Sequence, residues 1–205
     1  SLGYSALSTN PVIHIAHPLM QDLADRTGAA VALGARDGVE MVYLANCRSM
    51  SPVSLRLNVG SRLPIYRTAM GLAYLAETEP DLRAAIIADL IKAEPDKKSS
   101  LPRLVDDAVA SYRRQGFVAA FGMWHSYINA VGVAFRPTDG SPLVAITCGG
   151  IVDIVPKDLC LKSVGPDLVR LVQNLRAGLA GQPDAAASAG PRRTENARQR
   201  TLSKS

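Results

Sequence analysis

Apolar residues along this chain alternate between two spacings, and each change of spacing marks a new element. From Val12 the spacing is helical: Val12, Ile15, Ala16, Leu19, Met20 and Leu23 share one face. Asn10-Pro11 supplies the start, Gly28 the stop, and Pro18 predicts a kink or a delayed first turn. Ala29–Ala35 and Val39–Ala45 then read as strands around Asp37-Gly38, a dipeptide that tolerates the positive φ of a type I′ turn. A polar loop, Asn46–Pro52, leads to Val53–Leu57, where apolar Val53, Leu55 and Leu57 alternate with Ser54 and Arg56 as in a half-buried strand. Helical spacing returns after Thr68, a suitable N-cap for a short helix.

Pro80-Asp81 opens a helix through about Lys92 with Leu82, Ile86, Leu90 and Ile91 inward. After a charged loop, Glu94–Ser100, Ser100 is a candidate cap for Leu101–Gln115, whose Leu104, Val105, Ala108 and Tyr112 form a stripe ending at Gly116. Phe117–Phe121 returns to strand. Ile128–Phe135 and Leu143–Gly149 follow as an antiparallel pair around the turn-rich Arg136–Ser141. Pro166-Asp167 starts a last helix, Leu168–Ala180, with Leu168, Leu171, Val172, Leu175 and Leu179 on one face and Gly181 as its stop. The elements add up to an α+β domain with at least five strands, mostly antiparallel. Neither internal repeats nor sustained heptads are visible.

Composition narrows the class. At 205 residues and 47% hydrophobic content, the chain suits one globular domain with a sizeable core. The formal charge of +5 is concentrated at the end, because Pro191–Ser205 holds five Lys/Arg against one acid. Residues 1–181 are therefore expected to form the domain and 182–205 a basic, disordered tail, in which a weak nucleic-acid or solubility role competes with no role at all. Cys47, Cys148 and Cys160 are odd in number and form no CxxC, which points away from a disulfide framework or structural zinc and fits a reducing cytoplasm. No apolar run has the length to span a bilayer. The missing initiating Met fits a fragment of a longer protein.

Candidate chemistry is sparse. No GxGxxG or GxxxxGK[ST] follows a strand, so a nucleotide-phosphate cradle is unsupported, and no cofactor is expected. His14 and His17 are spaced to share a metal, yet no third ligand stands near them, and no metal is expected. In Ile128–Phe135, period two places Asn129 in one row with Val131, Val133 and Phe135, so a polar amide sits on an apolar face. It either faces a pocket or satisfies the core backbone, alone or with Thr147. Thr147 and Cys148 end the next strand beside Gly149 and Gly150. The helix start at Thr68, with Arg67 beside it, offers free N–H groups and a cation to a carboxylate or phosphate; an ordinary capped helix is the plain alternative.

Taken together, GSRLPIYRTAMGLAYLA (60–76), DRTGAAVAL, DGVEMVYLA, GFVAAFGMW, INAVGVAF and AITCGG resemble, in order, the C-terminal effector-binding domain of the IclR family of bacterial transcription regulators. The resemblance covers about Leu2–Leu179. It implies a GAF-like, profilin-like fold: a mostly antiparallel sheet of five to six strands with helices on both sides and a small-molecule cavity at one sheet face. By the same resemblance Thr68, Ala69 and Met70 line that cavity, Asn129 is pocket-facing, and Thr147, Cys148 and Gly149 supply polar contacts. Met123 stands where related sequences often have Glu, and Ser126-Tyr127 replaces a Pro-Gly-like pair. Leu2-Gly3-Tyr4 resembles the end of the linker that follows the family's winged helix-turn-helix, which this chain lacks, so DNA contact is expected only through that missing domain.

The implied function is ligand sensing: a small organic acid, aromatic acids included, would rest against Met70, Met123, Trp124 and Val131. Its carboxylate would meet Thr68 and Arg67, and binding would change how subunits pair in a homodimer or homotetramer. Two other readings stay open. One is a cysteine-dependent GAF-like enzyme with Cys148 as nucleophile and His125 as base, although no orienting carboxylate is evident, so no enzyme is expected. The other is a dimerisation domain with a collapsed cavity.

Overall fold

In the computed structural model, which describes residues 11–51, 55–138 and 140–181, the first hairpin turns at Gly38-Val39, one residue later than the expected Asp37-Gly38, because Asp37 still pairs with Glu40. Gly38, the first of the two loop residues, has φ 62°, a positive value that glycine adopts without a Cβ clash and that the tight hairpin turns require at that position. The turn joins β1 (Ala30–Asp37) to β2 (Glu40–Cys47). Before it, α1 (Pro11–Thr27) continues unbroken through Pro18, burying Val12, Ala16, Met20 and Leu23. Pro18 therefore neither delays nor ends the helix.

After β2 come a short edge strand β3 (Arg62–Pro64), α2 (Ala69–Glu77), α3 (Pro80–Ala93), α4 (Leu101–Gln115), β4 (Val118–Phe121), β5 (Ile128–Phe135) and β6 (Val144–Ile151). One α turn (Lys157–Leu159) and one π-type turn (Cys160–Val164) lead into α5 (Gly165–Ala180). The strands form one antiparallel sheet in the order β3-β2-β1-β6-β5-β4. Pairing of the early hairpin with the late one closes the fold through β1 and β6.

Two helical layers cover the sheet. On one face α1 and α5 pack on Val31, Leu33, Val131, Val133, Phe135, Ile146 and Cys148. On the other, α2 and α4 pack on Ala32, Met41, Tyr43, Val118, Ala134 and Ala145. α2 approaches β5 closely: a Cβ at Gly132 would stand 2.3 Å from the Ala69 carbonyl oxygen, so only glycine fits beneath the helix start. Tyr112 fixes α4 to the same strand, its hydroxyl donating to the Ala134 carbonyl at 2.8 Å.

Three local expectations need correction. Leu55–Asn58 form no strand, and 52–54 lie outside the described residues; the edge strand is Arg62–Pro64, paired with β2. Ser100 does not cap α4: its own backbone is already helical and its hydroxyl donates to Lys97. Leu82 remains 43% exposed, so α3 buries only Ile86 and Leu90. The expected basic tail, 182–205, and the linker-like Leu2-Gly3-Tyr4 lie outside the described residues.

Candidate functional site

Size alternation in the three central strands produces a cavity. Residues facing α1 and α5 are large, whereas those facing α2 are Ala30, Ala32 and Gly34 on β1, Ala130, Gly132 and Ala134 on β5, and Ala145, Thr147 and Gly149 on β6. Cross-strand pairing puts Ala30, Gly149, Ala130 and Ala120 side by side across four strands, a floor of methyl groups and hydrogen atoms. Above it lies a space of about 570 Å³, mouth included, walled by Leu55, Leu57, Leu63, Met70, Met123, Trp124 and Ile128. Its walls are mainly apolar, with a few polar groups among them, as in sites that bind small molecules.

Polar groups enter at two ends. At one end Thr68 caps α2, its Oγ1 accepting from the Gly71 N–H at 3.1 Å. The N–H groups of Ala69 and Met70, in the helix's first turn, have no acceptor within the helix. Arg67 lies at the mouth, its Nη2 donating weakly to the Met123 and Trp124 carbonyls at 3.4 and 3.3 Å, and among the described residues its other donors have no hydrogen-bond acceptor. At the floor Thr147 Oγ1 donates to the Val131 carbonyl at 2.8 Å and still presents lone pairs to the cavity. At the far end are Tyr43 and Asn46 of β2.

Of the residues expected at the site, Arg67, Thr68, Ala69, Met70, Met123, Trp124, Thr147 and Gly149 all line this one cavity. Asn129, Val131 and Cys148 do not; their side chains belong to the opposite face. Asn129 is 2% exposed and donates through Nδ2 to the Val155 carbonyl at 3.0 Å, tying β5 to the turn after β6. Val131 and Cys148 pack under α1 and α5. The reason is the period-two rule itself: Asn129 shares a row with Val131, Val133 and Phe135, and that row is the filled core.

Cys148 also lacks the environment of a nucleophile. Burial pushes its thiol up to about 12, and its polar neighbour is the Thr27 hydroxyl at 3.9 Å. His125 instead stacks on Tyr127, centroids 5.4 Å apart, and meets the Trp124 ring at a tilt, centroids 4.2 Å apart. No group of three metal-binding side chains gathers among the described residues, and His14 and His17 lie exposed on α1. Among the described residues no helix is long and apolar enough to cross a membrane.

Sequence reasoning missed Tyr43 and Asn46, which strict alternation assigns to opposite faces. A β-bulge at Leu44, where the pairing steps from Leu33↔Ala45 to Gly34↔Tyr43, brings both onto the cavity side. Leu33 and Gly34, which show no sign of irregularity by themselves, carry no signal for it.

A curled antiparallel sheet with helices on both faces, floored by small residues and holding a cavity at the start of one helix, is the architecture of a small-molecule-binding regulatory domain. The family model of the bacterial transcriptional regulator IclR C-terminal domain matches residues 4–168. The chain belongs to the IclR family of bacterial transcription regulators, and this is its effector-binding domain. It is 26% identical over 178 residues to the HTH-type transcriptional regulator TsaQ1/TsaQ2 of Comamonas testosteroni, covering 86% of this chain and 64% of the relative. It is 25% identical over 148 residues to the Pca regulon regulatory protein of Pseudomonas putida, covering 71% and 51%. The chain thus spans about half to two thirds of the length of these curated relatives. Among solved structures, an IclR family transcriptional regulator from Brucella abortus superposes with a TM-score of 0.81 at 32% identity, over 87% of this chain and 67% of that one. The inducer-binding domain of PobR from Acinetobacter, solved as a double mutant with 3-hydroxybenzoic acid, shares the fold at a TM-score of 0.66 and 18% identity, over 80% and 96%.

Proposed function

We propose that this domain senses a small organic acid, aromatic acids included, and transmits binding through the pairing of subunits to a DNA-binding domain elsewhere in the full-length protein. The observation that carries the reading is convergence. A helix N-terminus and the Arg67 guanidinium meet at one end of an otherwise apolar cavity, which suits a carboxylate on a hydrophobic body. Met70, Met123 and Trp124 would take the body, and Thr147 would add one hydrogen bond. The Acinetobacter domain crystallised with 3-hydroxybenzoic acid supports the class of ligand without naming this one.

Sensing requires that the acid bind one assembly state, homodimer or homotetramer, better than another; coupling is the difference between the two affinities. DNA contact would then lie outside this chain, in a cytoplasmic regulator. The test is thermal unfolding of this chain against a panel of aliphatic and aromatic carboxylates, with solution mass measured alongside. At a ligand concentration 100-fold above Kd the native state gains about 2.7 kcal/mol, a readily visible shift. Arg67→Ala should reduce the shift for the best acid about tenfold in affinity while leaving the unliganded protein's stability within about 0.5 kcal/mol. An acid that binds equally well to both proteins would remove Arg67 from the site.

A further inference from the structure

The second polar end of the cavity is incomplete in a specific way. Asn46 Nδ2 donates to the Leu57 carbonyl at 2.6 Å. A carbonyl only accepts, so the amide cannot be turned over, and Oδ1 must point away from Leu57. That oxygen is enclosed and has no hydrogen-bond partner among the described residues. Buried acceptors normally have one. Beside it on the cavity wall stands Tyr43 with its hydroxyl. Burial holds the Tyr43 phenol well above its ordinary range, so it remains a neutral donor and acceptor.

Position separates this pair from the anion end. Tyr43 and Asn46 are on β2, whereas Arg67 reaches the turn between β4 and β5. Two strands, β1 and β6, lie between β2 and β5, which puts their backbones roughly 14 Å apart at about 4.8 Å per strand. One compact anion cannot serve both ends. Charge limits what the far end will take: among the described residues no Asp or Glu lines the cavity, so an ammonium there would be buried without a counter-charge. A hydroxyl carries the donor at no such cost.

Building on the anion-binding reading above, we infer that the effector is a hydroxy acid, with its carboxylate at Arg67 and α2 and a hydroxyl at the opposite end donating to Asn46 Oδ1 beside Tyr43. Asn46 and Tyr43 are then the residues that determine specificity. They reject an acid of the same shape without a donor, because the Asn46 oxygen is left unpaired.

The experiment uses matched probes: a short series of phenylalkanoates, their para-hydroxy counterparts and the O-methyl ethers of those, with phenol and anisole as neutral controls. Affinities are measured by calorimetry on the wild-type chain, Tyr43→Phe, Asn46→Leu and Arg67→Ala. The best hydroxy acid should bind at least about tenfold tighter than its deoxy and O-methyl counterparts. Asn46→Leu should bring that ratio to about one, and Tyr43→Phe should lower it, whereas Arg67→Ala should weaken every acid and leave the ratio intact. If acids bind but hydroxy, deoxy and ether forms bind alike, the hydroxyl inference is overturned and the anion reading stands. If phenol is preferred to anisole while acids and their neutral analogues are not distinguished, the donor site holds and the anion reading fails. Silence across all probes overturns both. The wild-type ratios do not depend on any variant folding, and Tyr43→Phe keeps the ring in place if Asn46→Leu does not fold.

Discussion

The two faces of the sheet are made by the same strands and behave differently. Toward α1 and α5, β1, β5 and β6 present Val31, Leu33, Val131, Val133, Phe135, Ile146 and Cys148, which interlock with the helices into a filled layer. Toward α2, most alternate positions carry Ala or Gly, with one Thr, and Ile128 stands at the cavity wall. Small residues do two jobs there. Under the start of α2 they let the helix come down to backbone contact, as at Gly132; beyond it, where no helix descends, the missing side-chain volume becomes the cavity. Residue size along period two thus divides the sheet into a face for stability and a face for binding.

That division makes the largest prediction a mutation that should not affect ligand at all. Phe135 is 1% exposed on the filled face, and Phe135→Ala leaves a void among well-packed neighbours. We expect a loss of about 3–5 kcal/mol in denaturant unfolding, with the affinity of any bound acid unchanged under conditions where the variant is folded. A parallel loss of affinity would mean that the faces are coupled.

Gly132→Val attacks the other face at its tightest point. The new Cβ would meet the Ala69 carbonyl and, at 3.0 Å, the Met70 N–H, both backbone atoms that cannot swing aside. The helix start must lift, costing about 3 kcal/mol. Because that start is also the proposed anion site, stability and binding should fall together, and a variant that binds normally would place the anion elsewhere.

Asn129→Ala should cost less than either. Its amide satisfies the Val155 carbonyl inside the filled face, so removing it should cost about 1–3 kcal/mol and leave affinity alone. Cavity-side polar groups respond the opposite way, so an affinity loss in Asn129→Ala would mean that the filled face reaches the ligand.

Much of this architecture is legible in the sequence. The Asp-Gly hairpin, the stripe of α5 and the Ile128–Phe135 strand stand out because each follows a simple period bounded by a turn residue or a cap. The Thr68 cap and Arg67 are legible for the same reason. What escapes is non-periodic: β3, three residues long and defined by its pairing with β2, and the bulge at Leu44, which brings Tyr43 and Asn46 together through the register of β1. The misassignment of Asn129 has a different origin. A polar residue among large apolar ones attracts notice, yet the row of small residues beside it, Ala130, Gly132 and Ala134, marks the side on which space is left.

A small expected effect on stability can therefore still accompany the sharpest probe of the cavity floor. Ala130 forms part of the floor, beside Gly149 and Ala120, and is only partly buried because the space above it is open. Ala130→Leu adds three carbons to that space without displacing helix or strand. Unfolding free energy should change by less than about 1 kcal/mol, with a gain where the new side chain covers apolar wall. Binding should nevertheless be abolished for any acid that rests on the floor. Filling the corresponding volume on the opposite face is not an available experiment, because Val131 and Phe135 already occupy it. A stable Ala130→Leu protein that still binds its acid with unchanged affinity would show that the ligand lies above the helix start rather than on the sheet.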